Sequence, residues 1–191
     1  MPVKRIKYVS LRQLLRHELI ADEDPGTEDL IRRLGHIKRA RGFSRDEFLA
    51  MCRWKSPRAM GKCRRNSAAT IRRISRAALA TRSEQKRMNF LTSLRGVSVP
   101  MASAILTLVD PKRYGVLDIR VWQLLCAIDS VRTNPRGVGF NFKNWYDYLR
   151  KLRYHAREIG VSARTVERTL FEYHRTVQQG KLYEWPRRGI V

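Results

Sequence analysis

Apolar residues recur at three- and four-residue steps along nearly the whole chain, and no stretch holds the two-residue alternation of a half-buried strand. The pattern predicts an all-α fold of roughly eight to ten helices. Leu11, Leu14, Leu15 and Leu19 mark a first helix over 10–20. An acidic turn over 21–26 leads to a second over 27–41, capped by Thr27, with Leu30, Ile31, Leu34 and Ile37 inward and Gly42 at its end. Ser44 and Glu47 form a capping box for a third, which runs to about Trp54 with Phe48, Leu49 and Cys52 on its apolar side. Helices over 67–81 and 83–94 follow; Ile71, Ile74 and Leu79 face in on the first, while Arg72, Arg73 and Arg76 face out. Two short helices come next, over 100–109 and 119–128. A loop over 129–141 carries Asn134-Pro135-Arg136-Gly137. Beyond it lie 142–159, rich in Trp145, Tyr146, Tyr148, Leu149 and Leu152, and a Ser162-capped helix to about Gln178. The tail, with Tyr183-Glu184-Trp185-Pro186, either docks on the body or stays loose.

The stretch 94–125 organises the rest. Gly96-Val97-Ser98 lies between two helical patterns, and Gly96 supplies the positive φ that a tight turn needs. The next helix starts with backbone N–H groups around Ser98, Val99 and Met101, a ready seat for a phosphate. Pro100 sits in the first turn, where its missing N–H costs nothing. Met101, Ala104, Ile105 and Leu108 form a buried stripe. An Asp-Pro/Tyr-Gly loop then delivers Asp118 to the start of the following helix. The glycine alone describes a plain helical hairpin, and Asp118 alone describes a helix cap. Their separation along the chain is what argues for chemistry.

This stretch resembles the helix-hairpin-helix, Gly/Pro-Asp superfamily of base-excision DNA glycosylases, in its endonuclease III-like branch. The Leu-x-Gly-Val-Gly hairpin of those enzymes corresponds to Leu94-Arg95-Gly96-Val97-Ser98, their alanine-rich helix to 102–106, and their helix-opening aspartate to Leu117-Asp118. Two departures stand out. Ser98 replaces the second glycine and can still cap the helix. Pro100 occupies the place of the nucleophilic lysine of bifunctional members and has no amine to form a Schiff base.

The resemblance implies one domain over 1–191, built as two helical lobes with a cleft between them. The central lobe would take about 44–128, and the second 1–43 with 129–191. It implies a monofunctional glycosylase that flips out a base and hydrolyses its N-glycosidic bond, leaving an abasic site. Asp118 would be catalytic. Arg95, Gly96, Val97, Ser98, Val99 and Met101 would hold double-stranded DNA. Trp54-Lys55-Ser56-Pro57-Arg58 closes the third helix ahead of a proline-forced loop. In the family such loops approach the flipped base, so Lys55 and Arg58 become DNA contacts and Trp54 a pocket wall, with a core tryptophan the equal alternative. Tyr114 and Trp122 are pocket candidates that could equally be core. Arg120 either meets a phosphate or pairs with a core acid. The substrate is either a hypermodified phage pyrimidine, such as glucosylated hydroxymethylcytosine, removed in antiviral defence, or an oxidised, deaminated or alkylated base removed in repair. A non-catalytic hairpin DNA-binding protein is the competing reading, and a lyase using Lys55 or Lys112 is a third.

Composition sharpens the choice of partner. Among 191 residues, 40 Lys and Arg face 17 Asp and Glu, for a net charge of +23. Such an excess repels itself unless a polyanion is near, and nucleic acid is the partner it implies. The run from Arg53 to Arg95 holds a single acid, Glu84, and reads as a surface that tracks a phosphate backbone. Cys52, Cys63 and Cys126 form no C-x-x-C pair, no cysteine follows Cys126, and the four histidines show no metal spacing. No iron–sulfur cluster, metal or other cofactor is expected. The basic first twenty residues lack the apolar run of a signal peptide, and no segment spans a bilayer. A cytoplasmic, nucleoid-associated monomer with reduced thiols is therefore expected.

Overall fold

The computed structural model describes residues 6–183, and among them it is all-helical, with no β-strand. The helices are α1 (Leu11–Glu18), α2 (Pro25–Leu34), α3 (Ile37–Ala40), α4 (Arg45–Lys55), α5 (Met60–Cys63), α6 (Ala68–Ala80), α7 (Glu84–Thr92), α8 (Val99–Val109), α9 (Ile119–Ala127), α10 (Phe142–Ile159) and α11 (Ala163–Val177). No described helix is long and apolar enough to cross a membrane. The tail beyond Tyr183, with Glu184, Trp185 and Pro186, lies outside the described residues.

Most helices begin at a short polar side chain that takes up an N–H group otherwise without a partner. Ser10, Ser67, Ser83 and Ser162 each accept the N–H three residues on. Ser44 and Glu47 close the expected capping box on α4. Asn141 and Asn144 form a second one on α10, outside the Ser/Thr-to-Glu/Gln pattern that marks such boxes in a sequence.

The second helix differs from its expected form. Asp24, not Thr27, caps α2: its Oδ1 accepts the Thr27 N–H at 2.9 Å, and Pro25 fills the first position with φ already helical. Thr27 is instead buried. The helix stops at Leu34, where the Gly35 N–H tightens onto Arg32 O at 3.2 Å, and a separate turn forms α3. The α1 helix also ends early, and the Ile20 N–H donates across the fold to Thr169 Oγ1. After Pro57 the chain does not open into a loop. It forms a 3-10 turn, Pro57–Ala59, and then α5, which buries Met60 and Cys63.

Helix α8 is the centre of the packing. Every residue from Met101 to Val109 is buried. Helices α4, α2, α7 and α10 lie against it. Its capacity for close approach comes from Ala102, Ser103 and Ala104, small residues on three successive positions.

The lone acid of the basic run is structural. Glu84 accepts from Arg87, Arg153 and Arg113 at 2.6, 2.8 and 3.4 Å, and from the Tyr114 hydroxyl. Burial pulls its carboxyl up, but the guanidiniums of Arg153 and Arg87 outweigh that and hold it below the usual range. Arg87 is 6% exposed and ties off the end of α6 through Ala78 O and Thr81 O. Glu84→Gln keeps the shape but leaves Arg87 and its neighbours without a countercharge. We expect a loss of about 3 kcal/mol, read from the urea midpoint at unchanged slope. An unchanged midpoint would show that water replaces the carboxylate.

Candidate active site

The hairpin takes the conformation its sequence requires. Gly96 lies at φ +83, and the Val97 N–H closes the turn on Leu94 O at 3.1 Å. A Cβ at Gly96 would stand 2.8 Å from Cys63 Sγ and 2.9 Å from Cys63 N, so the turn is also a close approach. Ser98 caps α8 by accepting the Met101 N–H, and Pro100 lies in the first turn. That bond uses the Met101 N–H, and the Met101 side chain is core, so Met101 is not among the open N–H groups expected at this helix start. The N–H groups of Gly96, Ser98 and Val99 make no hydrogen bond among the described residues. Arg95 and Ser98 are exposed beside them, and Val97 is buried as the peg of the turn.

A residue not expected from the sequence shapes this seat. Asn66, after α5, grips Arg95 from both sides. Its Oδ1 accepts the Arg95 N–H and its Nδ2 donates to Arg95 O, each at 2.9 Å. Nδ2 also donates to Cys63 O at 2.8 Å. A buried amide thus replaces the strand-like partner the turn lacks. An isolated asparagine in a basic run gives no signal of this in the sequence.

Asp118 lies at the N-cap of α9, as expected, with Oδ1 accepting the Arg120 N–H at 3.0 Å. Its other oxygen meets Lys55 Nζ at 2.6 Å. Both side chains are under one-fifth exposed. Burial pulls the Asp118 carboxyl up, but Lys55 and the Arg120 N–H win and hold it below the usual carboxylate range. The end of α4 therefore supplies an amine at the carboxylate, although Pro100 carries none.

A pocket of about 330 Å³ opens beside this pair. Trp54 and Phe171 give it aromatic walls, and Arg120, Arg164 and Arg168 with Glu23 and Glu167 give it charge. Trp54 is pinned, its Nε1–H donating to Thr27 Oγ1 at 2.9 Å, and Arg164 lies 5.6 Å over its ring. Arg164 also bridges Glu23, at 2.7 Å, and Glu167. Glu167 is fully buried, and that burial raises its pKa against the pull of Arg164. This α11 wall is invisible in the sequence, because its charges sit on a helix whose period marks only its core face.

The other candidates fall elsewhere. Tyr114 does not line the pocket beside Asp118: it is 3% exposed, donates to Glu84, and stacks on Trp145. It lines a different, smaller cavity with Lys38 and Asp110. Trp122 is not at the pocket either. It is 1% exposed, and its Nε1–H donates to Asn134 O at 2.9 Å. It lines instead the groove between α10 and the loop after α9. Arg120 lines the pocket while its guanidinium reaches Gln178 and lies 5.7 Å over Phe171. Arg58 is exposed in the 3-10 turn and lies outside the pocket's lining.

His174, on α11, is fully buried, and neither ring nitrogen has a partner among the described residues. Burial and the charge of Arg120 push its pKa down to about 4, against a smaller opposing pull from Asp118. The unfolded chain gains this proton below about pH 6.5, and the native chain only near pH 4. Stability therefore falls as pH drops between those values, by on the order of 3 kcal/mol. His174→Leu should flatten that stretch of the stability curve and raise the melting temperature at pH 5. A melting curve against pH tests it, and an unchanged slope would sink it.

Cys52 and Cys63 are buried and Cys126 is half-buried. Comparison with protein-family models, with curated proteins and with solved structures gives no match in any of the three.

Proposed function

We propose that the protein is a DNA glycosylase of the helix-hairpin-helix, Gly/Pro-Asp kind, which extrudes a damaged or modified base and hydrolyses its N-glycosidic bond. The observation that carries this reading is the placement of Asp118: a largely buried carboxylate held below its usual pKa, lining an aromatic-walled pocket, at the start of the second helix after the Gly96 turn. The hairpin N–H groups hold a phosphate of the duplex, and the basic run through α6 follows the backbone. The pocket beside Asp118 receives the flipped nucleotide, at a cost of a few kcal/mol that a damaged or weakly paired base lowers.

In the chemical step the bond from C1′ to the base nitrogen breaks, and its electron pair leaves with the base. Positive charge develops on the sugar, and the Asp118 carboxylate stabilises it. Water adds to C1′, its proton passes toward Asp118, and an abasic site remains. Trp54 stacks on the extruded base, and Lys55 keeps Asp118 ionised where burial would otherwise protonate it. The substrate is a modified pyrimidine of phage DNA or a base lesion of repair.

A second reading rests on the 2.6 Å contact of Lys55 with Asp118. After proton loss to Asp118, the Lys55 amine attacks C1′ in place of water and the base leaves with the electron pair of its bond to C1′; the C1′–O4′ bond then opens to give an imine, which loses a C2′ proton as the C3′–O bond breaks and the 3′ phosphate departs. Mass spectrometry of bases released from damaged and phage-modified duplexes tests the first reading. Borohydride trapping on the same duplexes tests the second. No release from any duplex, with tight salt-sensitive binding retained, would leave a non-catalytic hairpin DNA-binding protein.

A further inference from the structure

Helix α10 carries Lys143, Asp147, Arg150, Tyr154 and Arg157 at four- and three-residue steps, so they share one face. That face runs about 21 Å at 1.5 Å per residue. The loop after α9 stands opposite and contributes Arg132, and the two walls enclose a groove of about 840 Å³. Among the described residues Asp147 is the only acid lining it, Lys143 already holds that acid at 3.1 Å, and Arg132 is paired with Asp129 at 2.8 Å. Arg150, Lys151 and Arg157 form no ion pair among the described residues. Tyr154 is 52% exposed between Arg150 and Arg157 on this row, its ring edge-on to that of His155 at 5.1 Å. None of these residues lines the Asp118 pocket or belongs to the hairpin.

We propose that this groove is a second nucleic-acid site, and that it takes a single strand. Cations in a row follow a phosphate backbone, and an aromatic face among them stacks a base. A duplex hides its base faces and would leave the ring in water, whereas an unpaired strand uses both elements. An anionic membrane would meet the cations, but the other apolar residues lining the groove, Trp122 and Val131, are buried and offer it little to insert against. The protein would thus hold a duplex at the hairpin and an unpaired strand on α10.

The test is fluorescence anisotropy with an undamaged oligothymidylate, and with an undamaged duplex, across a salt series. Tyr154→Ala, which changes no charge, should weaken oligothymidylate about fivefold or more at an unchanged salt slope. Arg150→Glu with Arg157→Glu should weaken it at least tenfold and lower the slope by about 0.7 for each phosphate no longer neutralised. Arg16→Glu with Arg39→Glu, two exposed cations elsewhere, applies the same charge change and should do much less. Melting curves confirm that each variant folds. An equal loss in the Arg16/Arg39 control would reduce the effect to bulk charge. Wild-type binding by Tyr154→Ala would overturn the stacking, and an equal loss on duplex would overturn the single strand. Loss on anionic vesicles alone would give the face to a membrane. All of these readouts use intact bases, so they stand or fall apart from the glycosylase reading.

Discussion

Asp118→Asn should cut base release by about 10²–10³-fold or more while duplex affinity stays within a few-fold of wild type. The amide keeps the shape of the carboxylate, and its oxygen can still accept the Arg120 N–H, so α9 keeps its cap. What is lost is the charge that opposes the positive sugar. The substitution also strips Lys55 of its partner at 2.6 Å, so folding must be confirmed by melting. Lys55→Gln separates the two roles of the amine. If Lys55 only keeps Asp118 ionised, release continues and the acid limb of the pH–rate profile moves to higher pH, because burial then dominates the carboxyl. If Lys55 attacks the sugar, the borohydride adduct disappears with it. Wild-type release by Asp118→Asn would reduce Asp118 to a helix cap and place the group that stabilises the sugar elsewhere.

The residues legible in the sequence share one property: their role is local. Ser44 with Glu47, Gly96 and Ser98 act on backbone within a few positions, so spacing reveals them. Asp118 is legible for the same reason, as a cap at a telling distance from the hairpin. The contacts that define the pocket are not local. Lys55 reaches Asp118 across 63 positions, and Arg164 reaches Glu23 across 141. No periodicity carries such pairs. Nearness in sequence even misleads, because Tyr114 and Trp122 lie close to Asp118 along the chain but pack into other parts of the core. The break of the second helix at Gly35 is hidden similarly: Leu34 and Ile37 fit one continuous stripe, and only the tight turn between them shows the interruption. Pro57 suggests a loop because proline ends a helix, yet it is equally suited to begin the 3-10 turn that follows.

Two substitutions at the hairpin should weaken duplex binding at least tenfold without touching a charge. Asn66→Ala removes one side chain but leaves three backbone groups, the Arg95 N–H, Arg95 O and Cys63 O, without their partner. Asn66 is 6% exposed, so water reaches these groups poorly, and each costs about 1–3 kcal/mol if left unmet. The turn should loosen, and the N–H groups of Gly96, Ser98 and Val99 should no longer converge on one phosphate. Asn66→Asp is harsher, since it turns a donor shared by two carbonyls into a further acceptor. Gly96→Ala strains the turn from the other side, through φ +83 and a Cβ 2.9 Å from Cys63 N. Cys63→Ala should not rescue it. That change removes the sulfur but leaves the backbone nitrogen in place, and backbone in α5 cannot retreat without pulling Asn66 off Arg95. Duplex anisotropy and urea melts on the four variants decide the matter. Rescue by Cys63→Ala would mean that the sulfur alone defines the close approach, and full affinity in Gly96→Ala would mean that the phosphate is held elsewhere.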